Sequence, residues 1–127
     1  MVRFFCICFN FDILNTPLRA LNVAADYLCA VATQTRCELV QTSPAQVANY
    51  VREGACLQFH SDGSWTDGVG GAYAFTVCAW LRSEDGWTRY LLGTYANFSS
   101  DMQGPFQAET LALHAAVRHF LNVASLC

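Results

Sequence analysis

Two carboxylates, Asp62 and Glu109, are the residues of this chain best suited to chemistry. Asp62 ends an apolar, strand-like segment and is followed by Gly63, which permits a tight turn or the close approach of another group. Taken alone, an Asp-Gly pair reads as a turn. Glu109 lies in a helical segment from Phe106 to about Ala124. On a wheel of about 100° per residue, Leu113, Ala116, Phe120 and Val123 fall within about 40° of Glu109. Gln107, His114, Arg118 and Asn122 occupy the opposite side. Glu109 is therefore expected to point with the apolar stripe toward a sheet, where a carboxylate needs a cation or hydrogen-bond donors. The alternative is a first-turn carboxylate favoured by the helix dipole and reaching solvent. A strand end and a helix start can meet at one edge of a sheet. Two carboxylates there suit a hard divalent cation, Mg²⁺ or Mn²⁺ rather than zinc.

Other reactive residue types yield weaker patterns. His60 precedes Asp62 by two residues, so strand alternation puts both on one face, where His60 could support the carboxylate. His114 falls on the polar helix face and His119 borders the apolar one; both read as surface or satisfied core residues. Asp67 and Asp101 are near in sequence, with nothing to aim them inward. The seven cysteines (6, 8, 29, 37, 56, 78 and 127) contain no Cys-x-x-Cys pair and no His at finger-like spacing. They read as buried thiols in an intracellular, reducing compartment rather than as a zinc site. Trp65, Trp80 and Trp87 could stack on bases. Trp80 reads as core, which leaves Trp65, in the loop after Asp62, as the candidate for substrate contact.

The elements that must position these residues change character at Gly54. Before it, Phe4 to Phe11 reads as a buried first strand, interrupted too early by Asn10 and Asp12 to be a good signal peptide. Thr16-Pro17 and Ser43-Pro44 are helix starts, each with Pro at the first helical position. Leu18, Leu21, Ala25, Leu28 and Ala32 form one helical stripe, and Val47, Tyr50 and Val51 a second. After Gly54, Ala55 to Ser61 alternates as a strand, with a turn-rich loop at Asp62-Gly63 and Asp67-Gly68. Gly71 to Leu81 is apolar on both faces, as in a central strand covered on each side. Trp87 to Asn97 returns as a third strand, and the helix carrying Glu109 follows. The expected division is a helical N-terminal extension over residues 1–54, which carries no recognisable constellation, and a second unit over residues 55–127.

Ser61-Asp62-Gly63-Ser64, then Gly70-Gly71-Ala72 opening a long apolar strand, then Gln107-Ala108-Glu109-Thr110-Leu111-Ala112-Leu113 on a helix, resembles the type 1 ribonuclease H domain. Such domains occur in cellular enzymes and in the reverse-transcription proteins of retroelements. The resemblance covers residues ~55–124, roughly the N-terminal half of such a domain. It implies an α/β fold with a ribonuclease H-like mixed sheet, three antiparallel strands and then a helix, truncated here. It also implies carboxylates that hold two Mg²⁺ ions during hydrolysis of the RNA strand of an RNA–DNA hybrid. By position, Asp62 and Glu109 match two of the family's metal ligands, and the Gly63 and Ser64 backbone would lie near substrate phosphates. The family's third aspartate lies on a strand after the helix, and its fourth acid and a mobile His follow later. Pro105-Phe106 stand where the family often has a polar residue such as Asn. Two other readings stay open: a non-catalytic truncated remnant, and an integrase-like nuclease of the same fold.

Composition bounds these readings. The chain has 127 residues, of which 54% are hydrophobic and 13% charged, the latter about half the usual share. That suits one folded domain and excludes a disordered polar tail. All seven basic residues are Arg, against ten acids, for a net charge of −3. Residues 1–54 hold four Arg and four acids, whereas residues 55–127 hold three Arg and six acids, so the whole deficit falls around the candidate site. Local negative charge suits a metal site. It also leaves no broad basic track for the expected nucleic-acid partner. No apolar run reaches the ~18 residues of a membrane span, so no membrane partner is expected.

Overall fold

The computed structural model describes residues 7–10 and 19–127, with side chains from Val23 onward. Eight elements follow one another: β1 (Ile7–Asn10), α1 (Arg19–Thr35), β2 (Leu39–Gln41), α2 (Pro44–Arg52), β3 (Cys56–Thr66), β4 (Gly70–Ser83), β5 (Gly86–Ser99) and α3 (Pro105–Ser125). The strands form one five-stranded sheet in the order β1-β3-β4-β5-β2. β3, β4, β5 and β2 are antiparallel neighbours, and β1 adds to the far side of β3 in parallel. The fold is thus mixed α/β, and its centre is the expected run of three antiparallel strands followed by a helix.

Helices cover both faces of β4, which is why that strand is apolar throughout. On one face Leu57, Phe59, Phe75 and Val77 pack against Val47, Ala48 and Val51 of α2 and Ala116 and Val123 of α3. On the other, Ala72, Ala74 and Ala96 meet Ala25, Cys29 and Ala32 of α1. Every buried side chain of that second cluster is small, which brings the α1 backbone close to the sheet.

Local signals fixed α2 well. Ser43 caps it, its hydroxyl accepting from the Gln46 N–H at 3.5 Å, with Pro44 at the first helical position. The Thr16-Pro17 start, Leu18 and Asp12 lie outside the described residues, as does the side chain of Leu21. The β3 strand runs further than its alternation suggests. Asp62 to Thr66 stay paired with β4, Ser64 opposite Ala72 and Trp65 opposite Gly71. Asp62 therefore lies within a strand rather than at its end, and Trp65 is on the strand rather than in a loop. The turn is confined to Asp67-Gly68, closed by the Val69 N–H donating to the Thr66 carbonyl at 3.0 Å. The expected boundary at residue 54 marks a change of local period, while strands from both sides of it share the one sheet.

Candidate functional site

The site forms where α3 crosses β3. A Cβ placed on Gly63 would overlap the backbone of Ala108 and Glu109, so only glycine allows this crossing. The close approach lets the Glu109 carboxylate accept a hydrogen bond from the Gly63 N–H at 3.3 Å. Glu109 is exposed and does not point into the sheet, contrary to the wheel reading. The buried face of α3 is Ala108, Ala112, Ala116, His119 and Val123, centred about 60° away from Glu109. Small residues, Val123 and a histidine are buried because the helix lies so near the sheet, while Leu113 is only partly buried and Phe120 packs at the edge of the core. The helix also begins at Pro105, which makes Glu109 its fifth residue, beyond the first turn to which dipole stabilisation is confined.

Asp62 is half-buried on the α1 face of β3, opposite Ala74. Asp26, on α1, lies close enough to act on the Asp62 carboxyl group through charge and hydrogen bonding. Burial comes first, then the charges of Glu109 and Asp26 and that hydrogen bond, in pushing Asp62 up to about 7; the Gly63 N–H opposes the shift. Asp26 is the functional candidate that the sequence reading missed. An exposed aspartate on an amphipathic helix carries no local mark, and only the docking of α1 beside β3 brings it to Asp62.

Cys29, one turn beyond Asp26, donates its thiol to the Asp62 backbone carbonyl at 3.4 Å. Burial, followed by the charges of Asp62, Asp26 and Glu109, pushes this thiol up to about 12. It stays protonated and is no nucleophile at neutral pH. Ser64 alternates onto the same face of β3 as Asp62, toward α1, where its hydroxyl opposes the upward shift of the Cys29 thiol. Trp65 donates its indole N–H to the Met102 carbonyl at 2.9 Å, tying β3 to the segment before α3.

The remaining candidates separate from this cluster. Asp67 and Asp101 are exposed and add nothing to the charge around Asp62. His114 is exposed, as its place on the wheel requires. His119 is buried, its Nε2 lying 3.3 Å from the Thr42 hydroxyl, which makes it a satisfied core histidine. His60 shares the Asp62 face but is fully buried, and both ring nitrogens lack a partner. It therefore makes no hydrogen bond to Asp62. Burial and the Arg89 charge lower it to about 4. Cys29 and Cys78 are buried thiols.

Three carboxylates thus converge at the β3–α1–α3 junction, and the groups that act on Asp62 include no cation. Such an arrangement can hold a shared proton or a hard cation. As the side chains stand, no three Asp, Glu, His or Cys groups among the described residues are gathered closely enough to hold a metal ion. No helix among the described residues is long and apolar enough to cross a membrane. Comparison with known proteins returns no matching family model, no matching curated protein and no matching solved structure.

Proposed function

We propose that this chain is a ribonuclease H-like nuclease domain, cleaving the RNA strand of RNA–DNA hybrids with Mg²⁺ or Mn²⁺ held by Asp62 and Glu109. The observation that carries this reading is the meeting of the two carboxylates across Gly63, with Glu109 bonded to the Gly63 N–H. The donor set fits a hard divalent ion: oxygen ligands only, Asp62 half-buried and Glu109 exposed, with excess negative charge. Asp26 adds a third carboxylate, whose charge acts on Asp62.

A divalent ion held by Asp62 and Glu109 would acidify a bound water and neutralise charge on the scissile phosphate. The protein's own residues have separate tasks. Gly63 keeps α3 close enough for Glu109 to reach the site. Asp62, raised to about 7, must lose its proton before it can serve as a ligand, so cation affinity rises with pH through that range. Burial of Cys29, Ala72 and Ala74 fixes the floor beneath Asp62. Phe106, 84% exposed one turn before Glu109, and Trp65 offer ring faces for stacking on substrate.

The test is Mg²⁺-dependent cleavage of an end-labelled RNA–DNA hybrid, with Asp62→Asn and Glu109→Gln as controls. Activity abolished by either substitution supports the assignment, and activity that survives both overturns it. Preferential cleavage of duplex DNA would favour the integrase-like alternative. A second reading, a non-catalytic remnant of such a domain, is favoured by the lack of a closed three-ligand group among the described residues. A parent chain with no hydrolysis at saturating Mg²⁺ or Mn²⁺ would support that reading.

A further inference from the structure

A second site lies on the face of the sheet opposite Asp62, along the helix that carries Glu109. Between α3 and the β5–β2 edge is a cavity of about 370 Å³, within the usual range for small-molecule sites. Its floor is aromatic: Phe75 and Tyr95 stack at 5.5 Å between ring centroids, and Tyr73 lies 6.1 Å from Tyr95. Its rim is ionisable, with Glu38 on one wall and Arg118 on α3.

The walls are held in place by specific contacts. The Tyr95 hydroxyl donates to the Glu38 carboxylate at 3.4 Å, and Asn97 donates to the Tyr73 hydroxyl at 3.2 Å. Gly93 has no side chain because Thr42 fills the space a Cβ would need. Thr42 in turn lies 3.3 Å from His119 Nε2, and the His119 ring packs on Phe75 at 5.3 Å. This is an ordered aromatic pocket with one cationic group and one anionic group at its mouth.

We infer that the cavity binds a flat aromatic ring that carries an anionic group, the ring lying on Tyr73 and Tyr95 above the buried Phe75 and the anion meeting Arg118. Ring stacking supplies most of the contact area. The Arg118 guanidinium supplies a charge-assisted hydrogen bond. Glu38 retains acceptor capacity for an amino donor on the same ligand. A nucleoside monophosphate and an aromatic amino acid both meet this description, and the experiment separates them.

The full chain is titrated with 5′-AMP, L-tryptophan and adenosine while the aromatic side-chain signals are followed by NMR. Saturable shifts of Tyr73 and Tyr95 are expected with AMP, with tryptophan or with both, and the tighter of the two identifies the source. Removal of the anion, in adenosine, should weaken nucleotide binding about tenfold or more, and Arg118→Ala should do the same for the anionic ligand. Arg118 is exposed, so this variant keeps the fold and the test stands even if Tyr95→Leu does not fold. No saturable binding of AMP or tryptophan up to about 10 mM would overturn the inference. Binding undiminished by Arg118→Ala, or shifts confined to other residues, would overturn it too.

Discussion

Asp62 and His60 stand two residues apart on one face of one strand, yet they meet different surroundings. His60 is sealed in without a hydrogen-bond partner. Asp62 lies at the rim, where Asp26 and the neighbouring Glu109 crowd it with negative charge. Burial favours the neutral form of each. The shifts therefore run in opposite directions, His60 down to about 4 and Asp62 up to about 7. The difference separates a polar group closed to ligands from one that stays open to them. An isolated buried histidine has lost its exchange with ligands, whereas a carboxylate among carboxylates invites a proton or a cation.

The largest effect expected on this comparison comes from the element that creates the rim. Gly63→Ala forces its methyl group against the Ala108–Glu109 backbone, which cannot rotate away. A loss of about 3 kcal/mol or more is expected in urea denaturation. A variant of unchanged stability would mean that α3 does not cross β3 so closely.

The next effect is on pH dependence. His60 has a folded pKa below its unfolded value of 6.5. Its contribution is present above pH 6.5 and is lost as pH falls toward 4, about 3 kcal/mol over the interval. Asp62 has a folded pKa above its unfolded value of 3.8. Its contribution is present below about pH 4 and is lost as pH rises through 7, of order 2 kcal/mol after solvent screening. The two slopes oppose each other across one window. The parent chain should vary little in stability between pH 4 and 7 on their account. His60→Leu should uncover a decline with rising pH, and Asp62→Asn a gain. Denaturant midpoints measured at half-unit steps would show both, and identical pH profiles for the two variants would sink the comparison.

The smallest effect concerns the thiol between α1 and β3. Cys29 should alkylate far more slowly at pH 8 than the exposed Cys37 and Cys127. Because burial outweighs the carboxylates in raising it, Asp62→Asn should speed that reaction by only about threefold. A much larger acceleration, read by mass spectrometry of the modified peptides, would make the carboxylate charge the main cause.

Much of this arrangement is written in local residue patterns. Ser43-Pro44, the doubly apolar β4 and the order of three strands then a helix are decided within a few residues of each feature, by caps, by period and by turn chemistry. The short β2 could not be read that way, because three residues, Leu39–Gln41, carry no period and are strand only through pairing with β5. The phase of α3 was misjudged for a related reason. The wheel centred the buried stripe near Leu113 and Phe120, but the close crossing at Gly63 puts alanines at its centre and leaves Phe120 at the edge of the core.

By itself the sequence determined that Asp62 and Glu109 stand on a strand and a following helix, and that Gly63 allows a close approach between them. Those properties follow from residue type and spacing alone. Only the tertiary structure decided that Glu109 faces outward and reaches the Gly63 N–H, that His60 is sealed away from Asp62, and that Asp26 completes the carboxylate group. Each depends on how near a helix can come to the sheet. That distance is set by side chains far apart in the chain, the alanines of α1, α3 and β4, and no local pattern encodes it.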